Sequence, residues 1–386
     1  RDWCYKSAPL SAANKRSINI PRGRMVGGSG SINSMVWFRG QQADFDDWNI
    51  DGWRWSDVEP SFIKVEEQLQ PQTIPHPHPL ARNFAGALNH TTTTKTAIAD
   101  PEIEGTGLFR SNMRRGRRWS AADAFLRPAQ KSGKVELVTD AHIDQITFDG
   151  GKANGVVLSD GRTFNTRAGV VLSAGSIASP AILMRSGIGP SEHLQSLGID
   201  TLVDAPAVGA NLHDHPTSAL FHQGSGSGYG LELKQLPNWA LAPFNYLLRR
   251  KGAFASNICE AGGFLKVLDQ QRPDVQVHFL PFMIGFKGTP LVWGSGYLAD
   301  VNVCRPYSRG QLRLRSINAL EHPEIDLGLM KDERDLELLV AAFKRLRALL
   351  ADAPLESYRA DEVFPTKSVQ SDDEIRDYIR GNCGTS

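Results

Sequence analysis

Cysteine is scarce in this chain: four among 386 residues, at Cys4, Cys259, Cys304 and Cys383, with no Cys-x-x-Cys pair. That excludes a zinc ribbon and a disulfide-dense secreted scaffold, and four separate thiols lean towards a reducing compartment. Surplus charge is missing too. Forty-three basic residues face 42 acidic ones, so a formal charge of +1 gives no general attraction to nucleic acid or to an anionic membrane. No apolar run reaches the roughly 18 residues that a membrane-spanning helix needs. The first 26 positions hold six basic residues and no apolar signal-peptide core, and the chain opens on Arg1 rather than Met. We read it as incomplete at both ends. Two catalytic signatures are also absent. There is no Gly-x-Gly-x-x-Gly anywhere, and Ala174-Gly-Ser176-Ile-Ala178 only mimics the Gly-x-Ser-x-Gly elbow, which rules out that hydrolase class.

What is present fits a mixed α/β chain of two or three packing units, with 41% hydrophobic residues. Apolar spacing predicts helices over 53–70, 80–88, 332–350 and 372–379, and one from Ser120 that Pro128 interrupts. Residues 71–79 hold four prolines and read as an exposed linker, followed by a Thr-rich turn at 91–96. Val135–Val138 and Gly169–Ala174 read as strands, and Ile143–Phe148 with Gly155–Leu158 as a hairpin about Asp149-Gly-Gly. Short strands at 260–267, 274–280 and 312–316 suggest an antiparallel sheet. Gly224–Gly230 reads as a surface loop.

Two segments carry the chemistry. The first is Gly23-Arg-Met25-Val-Gly-Gly28-Ser-Gly-Ser-Ile-Asn33-Ser34-Met35-Val36, whose adjacent glycines let backbone amides approach an anion or a ring. The second is Ala174-Gly-Ser-Ile-Ala-Ser179-Pro180, followed by Gly187, read as a strand end and a helix capped by Ser179 with Pro180 in its first turn. Together they resemble the two signatures of the glucose–methanol–choline (GMC) flavin oxidoreductases. The likeness runs almost end to end, through Arg39-Gly40, Ser120-Ala-Ala-Asp-Ala-Phe-Leu126, Val208-Gly-Ala-Asn211, Glu260-Ala-Gly-Gly-Phe264 and Arg272-Pro-Asp274. The last two resemble the choline dehydrogenase branch.

The resemblance implies FAD, held non-covalently because Ile32 stands where some members carry the linking histidine. Met25, Gly28, Asn33, Ser34, Met35 and Val36 fall at the flavin end, and Ile143 at the adenine. It implies a GMC-type FAD-binding domain with an inserted antiparallel-sheet substrate domain. The segments expected are 1–60 and 116–216 for the cofactor, 61–115 as connection or lid, 217–330 for the substrate and 331–386 as a helical stretch. The implied reaction oxidises a primary alcohol, choline-like or other, to the aldehyde, with hydride passing to flavin N5. A quinone, another carrier or oxygen then accepts the electrons. The family's catalytic histidine pair is expected beyond Ser386, so no catalytic residue is named within the chain. Glu260 could face a quaternary ammonium, aided by Phe264; its plainer reading is a sheet glutamate. His213-Asp-His215 and His76/His78 suggest metal ligands on spacing alone, but no metal is expected. A location in the cytoplasm or at the periphery of a membrane is favoured. The alternative is a truncated, inactive fragment of the family.

Overall fold

Strands with period-two alternation pair edge to edge and organise the chain. They are β1 (Gly105–Leu108), β2 (Pro216–Gln223), β3 (Ala261–Leu265), β4 (Val275–Leu280), β5 (Gly296–Val303), β6 (Asp361–Phe364) and β7 (Gly384–Thr385). The computed structural model describes residues 1–88, 98–224, 228–268, 270–283, 294–351, 355, 358 and 361–385. The sheet order is β6-β2-β5-β4-β3-β1, with β7 also on β2, and every pairing is antiparallel. This sheet therefore takes in β1, β6 and β7 from outside residues 217–330.

Alternation gives the sheet two unlike faces. Leu220, Val275, Val277, Phe279, Tyr297, Ala299 and Val301 line one of them and belong to the main core. Of the helices, α1 spans Trp55–Leu69, α2 Gly175–Arg185, α3 Leu236–Arg249, α4 Glu333–Leu350 and α5 Asp372–Asn382. The stripe Leu336, Leu339, Phe343 and Leu346 of α4 packs on the apolar sheet face, as its spacing predicts. Asp332 caps α4 by accepting from Arg334 N, a contact worth about 1 kcal/mol. Distant segments close on each other beside it: Arg16 donates to the carbonyls of Arg380 at 3.4 Å and Cys383 at 3.2 Å.

The expected hairpin forms between Ile143–Asp149 and Lys152–Leu158. Val135–Val138 and Gly169–Ala174 do not form strands. Their β propensity finds no partner among the described residues, and Val171 is 92% exposed. Helix α2 starts at Gly175 (φ +86°), so Pro180 sits inside it, and Ser179 Oγ accepts from Ala174 N instead of capping a later start. Pro128 does not break its helix, because it falls in the first turn of Arg127–Lys131, directly after a π-turn at Ala122–Leu126. Nor is 71–79 an exposed linker: Pro71, Ile74 and Pro77 are buried, and Gln72–Thr73 pairs with Arg110–Ser111. The turn at 91–96 and residues 225–227 of the Gly/Ser stretch lie outside the described residues.

Buried titratable groups set opposing pH responses. His222 stacks on Tyr297 at 5.0 Å, and burial, with Arg347 and Lys367 nearby, lowers it to about 4. The unfolded chain takes up that proton nearer pH 6.5, so the stabilisation is complete above that value and is lost as pH falls towards 4. Asp274 behaves inversely. Burial raises it to about 6, and its Oδ2 has no partner among the described residues. Its effect on stability is most favourable below the unfolded pKa of 3.8 and declines as pH rises through about 6. Urea unfolding at about pH 4.5 and 7 should show His222→Phe losing roughly 2 kcal/mol of the pH-dependent difference, and Asp274→Asn enlarging it. Identical differences in both variants and the parent would refute the assignment.

Candidate functional site

The glycine loop is tightly built yet open outward. Gly27 and Gly28 take φ of +90° and +55°, and the chain then turns through a 3₁₀ segment, Gly28–Ser31. A Cβ on Gly23 would overlap the carbonyl of Gly28, whereas one on Gly28 or Gly30 would meet nothing within 4 Å. Met25, Val26 and Ile32 are exposed around that space. Arg118 holds the loop from behind: Nη1 donates to Gly30 O at 3.1 Å and Asn33 Oδ1 at 2.7 Å, and Nη2 donates to Asn33 O at 2.6 Å. Burial lowers the pKa of this guanidinium. Ser34 O accepts from Asn257 Nδ2 at 2.8 Å. Met35, at φ +63°, is buried, and Val36 bridges to Ser111.

Ile143 is joined to this loop through aromatic contacts. The Arg24 guanidinium lies 4.7 Å from the Trp3 ring centre, and Trp3 meets His142 edge-on at 5.3 Å. Arg185 anchors the neighbouring backbone, donating to Asp144 O and Oδ1 at 3.0 Å and to Ile143 O at 3.4 Å. The two expected cofactor segments therefore belong to one continuous structure.

Val36 leads in the other direction to the second sheet face. It packs with Phe38, Phe109, Cys259 and Phe264, and the Phe109 ring stands edge-on to His278 at 5.8 Å. Around His278 runs a polar chain that the sequence reading missed. His278 Nδ1 lies 3.0 Å from Asp300 Oδ1, Asn302 Nδ2 donates to that same oxygen at 2.9 Å, and Thr217 Oγ1 donates to Asn302 Oδ1 at 2.5 Å. The available signal was alternation: Gln276-Val-His278 and Asp300-Val-Asn302 put polar residues at period two inside otherwise apolar strands.

Glu260 is not where the choline-like reading needs it. The residue is 1% exposed. Its Oε1 accepts from Ser256 Oγ at 2.5 Å and Tyr229 OH at 3.1 Å, and its Oε2 accepts from His78 N at 2.5 Å. Burial raises its pKa against the pull of those donors. Phe264 belongs to the cluster around Phe38 and Phe109 instead. The expectation of a carboxylate facing a substrate cation is therefore corrected: both oxygens serve interior donors. His78, in the stretch expected as an exposed linker, is half-buried and lowered to about 4 by that burial. Asp214 pairs with Arg22 at 3.5 Å, and His215 Nδ1 lies 2.7 Å from Val303 O. Among the described residues, no three His, Cys, Asp or Glu side chains are grouped to hold a metal ion.

An open glycine loop beside a mixed α/β layer, set against a large antiparallel sheet, is the arrangement of a GMC oxidoreductase. Residues 5–217 match the N-terminal domain of that family and residues 306–386 the C-terminal domain, and the chain belongs to it. It is 36% identical over 413 residues to the oxygen-dependent choline dehydrogenase of Brucella ovis, covering all of this chain and 75% of that protein. It is 31% identical over 409 residues to the alcohol dehydrogenase (acceptor) of Pseudomonas putida, covering all of this chain and 74% of that one. Two solved structures share the fold: formate oxidase (TM-score 0.85, 22% identity, all of this chain and 77% of that one) and pyridoxine 4-oxidase (0.80, 24%, all of this chain and 76%).

Proposed function

We propose that this chain binds FAD non-covalently and takes part in oxidising a primary alcohol, choline or another, to its aldehyde. The observation that carries this is the outward-open loop at Gly28 and Gly30, clamped by Arg118 and flanked by exposed apolar side chains. Relatives named as choline and alcohol dehydrogenases support the reaction class. When bound, FAD supplies a hydride acceptor at N5, to be re-oxidised by a quinone, another carrier or oxygen.

The chain's own residues receive distinct tasks. Met25, Gly28 and Asn33–Val36 border the flavin, with backbone amides close to it because no Cβ intervenes at Gly28. Ile143 borders the adenine. No Gly-x-Gly-x-x-Gly turn in 1–386 offers the pyrophosphate a helix N-terminus, so these residues fit the two ends of the cofactor rather than its middle. Segments 1–60 and 116–216 form the cofactor half, with 61–115 as connection, 217–330 as the centre of the substrate half, and 331–386 as helical support. The proton of the alcohol is assigned to no residue of 1–386.

The purified chain should carry flavin that acid releases, and choline or an aliphatic primary alcohol should bleach it anaerobically in the complete gene product. A chain without flavin would favour the inactive-fragment reading. Arg118→Ala should weaken flavin binding by about tenfold or more, read by fluorescence titration, because three loop contacts to one cation disappear together. Unchanged affinity would remove Arg118 from the site.

A further inference from the structure

Strain and unmet hydrogen bonding converge on one short stretch behind the glycine loop. Met35 (φ +63°) and Ile258 (φ +69°) are both left-handed without being glycine, a costly conformation and above all so for a β-branched side chain. Asn257 lies between them and is buried. Its Nδ2 donates to Ser34 O at 2.8 Å and to Ser111 Oγ at 3.1 Å, so both amide hydrogens are spent. A carbonyl only accepts, which fixes the nitrogen towards Ser34 and leaves Oδ1 on the other side. That Oδ1 is sealed from solvent and has no partner among the described residues, and the same holds for Asn112 Oδ1. Asn112 reaches the same stretch, its N donating to Met35 O at 2.8 Å.

The turn that carries Asn257 is itself braced. Ile258 N donates to Ser256 Oγ at 2.8 Å, Glu260 N donates to Ile258 O at 3.0 Å, and Ser256 Oγ donates to the buried Glu260 carboxylate. An unmet buried acceptor and a left-handed β-branched residue both lower stability, and such costs gather where geometry serves function. Here they are borne where the segment leading into β3 meets the loop, across 223 positions of sequence. Ser34 is exposed, so a tie to its carbonyl from inside fixes what it presents outside. Arg118 ties the neighbouring Asn33 O in the same manner.

We propose that Asn257 is a positioning residue: by holding Ser34 O it sets the Asn33–Val36 backbone for the flavin and makes the loop rigid with the substrate sheet. The inference rests on the assignment of Asn33–Val36 to the flavin end. Asn257→Ala and Asn257→Leu both remove the donor and the unmet Oδ1, but alanine leaves space where leucine fills it. In the complete gene product, fluorescence titration should show FAD affinity about tenfold weaker in each, and the visible circular dichroism of the bound flavin should shift alike in both. Melting of the flavin-free protein should instead differ between the two, following side-chain size. A merely structural role makes flavin affinity fall only in the variant that melts lower. That pattern overturns the proposal, as do two variants that match the parent in affinity and spectrum. If either variant does not fold, Asn257→Met, which also donates nothing, takes its place. A parent that holds no flavin overturns the flavin assignment itself, and this proposal with it.

Discussion

Glu260→Ala should lower the stability of the fold by about 3–5 kcal/mol. The carboxylate gathers donors from three separate segments: His78 N before the helix at Pro79–Ala85, Tyr229 OH ahead of α3, and Ser256 Oγ just before β3. Truncation would leave all three donors facing the space that the carboxylate vacates. Glu260→Gln tests the hydrogen-bond account. Its amide oxygen can still accept from His78 N while its NH2 donates to the two hydroxyl oxygens, which turn from donor to acceptor, so only the charge-assisted part of the contacts goes and roughly 1 kcal/mol should be lost. Urea denaturation followed by tryptophan fluorescence measures both. A loss below about 1 kcal/mol for alanine would mean that these contacts add little in water.

Gly262→Ala should be nearly as damaging, by about 3 kcal/mol or more, and for a steric reason. Gly262 sits between β4 and β1, paired with His278 on one side and Gly107 on the other. A Cβ there would overlap both Phe109 Cζ and the carbonyl of Val277. Phe109 is almost fully buried, and a ladder carbonyl cannot withdraw without breaking its strand pairing. Gly263 is tight for a matching reason: its Cβ would strike the carbonyl of Gly105 on β1. Thermal melting of Gly262→Ala, alone and with Phe109→Leu, separates the causes. The second change relieves the ring but not the carbonyl, so rescue should be partial at best. Full rescue would refute the backbone explanation.

Local pattern made the α4 stripe, the Asp149-Gly-Gly hairpin and the glycine loop readable, because each depends on residues within a few positions of one another. Three-dimensional partners decided the remainder. Val135–Val138 and Gly169–Ala174 have strand composition, yet a strand exists only where a neighbour offers hydrogen bonds, and composition does not report neighbours. Glu260 reads as a site residue because, in a choline-like enzyme, a carboxylate could face a quaternary ammonium. Its donors at His78 and Tyr229 lie 182 and 31 positions away and left no mark in the surrounding sequence. The His278–Asp300–Asn302–Thr217 chain was detectable in principle. Polar residues at alternate positions of buried strands signal a second interior face, and registry across three strands joins them.

The clasp of Arg16 on Arg380 and Cys383 has a consequence for biosynthesis. The two partners lie 364 and 367 residues apart in the chain. At about 5–20 residues per second, the segment bearing Tyr5, Leu10, Ile18 and Ile20 waits roughly 20–70 s on the ribosome before its last neighbours emerge. Those four side chains are buried in the finished fold. Until α5 is made, this stretch lacks the last of the neighbours that cover it, so its apolar side chains stay open to other contacts in the meantime.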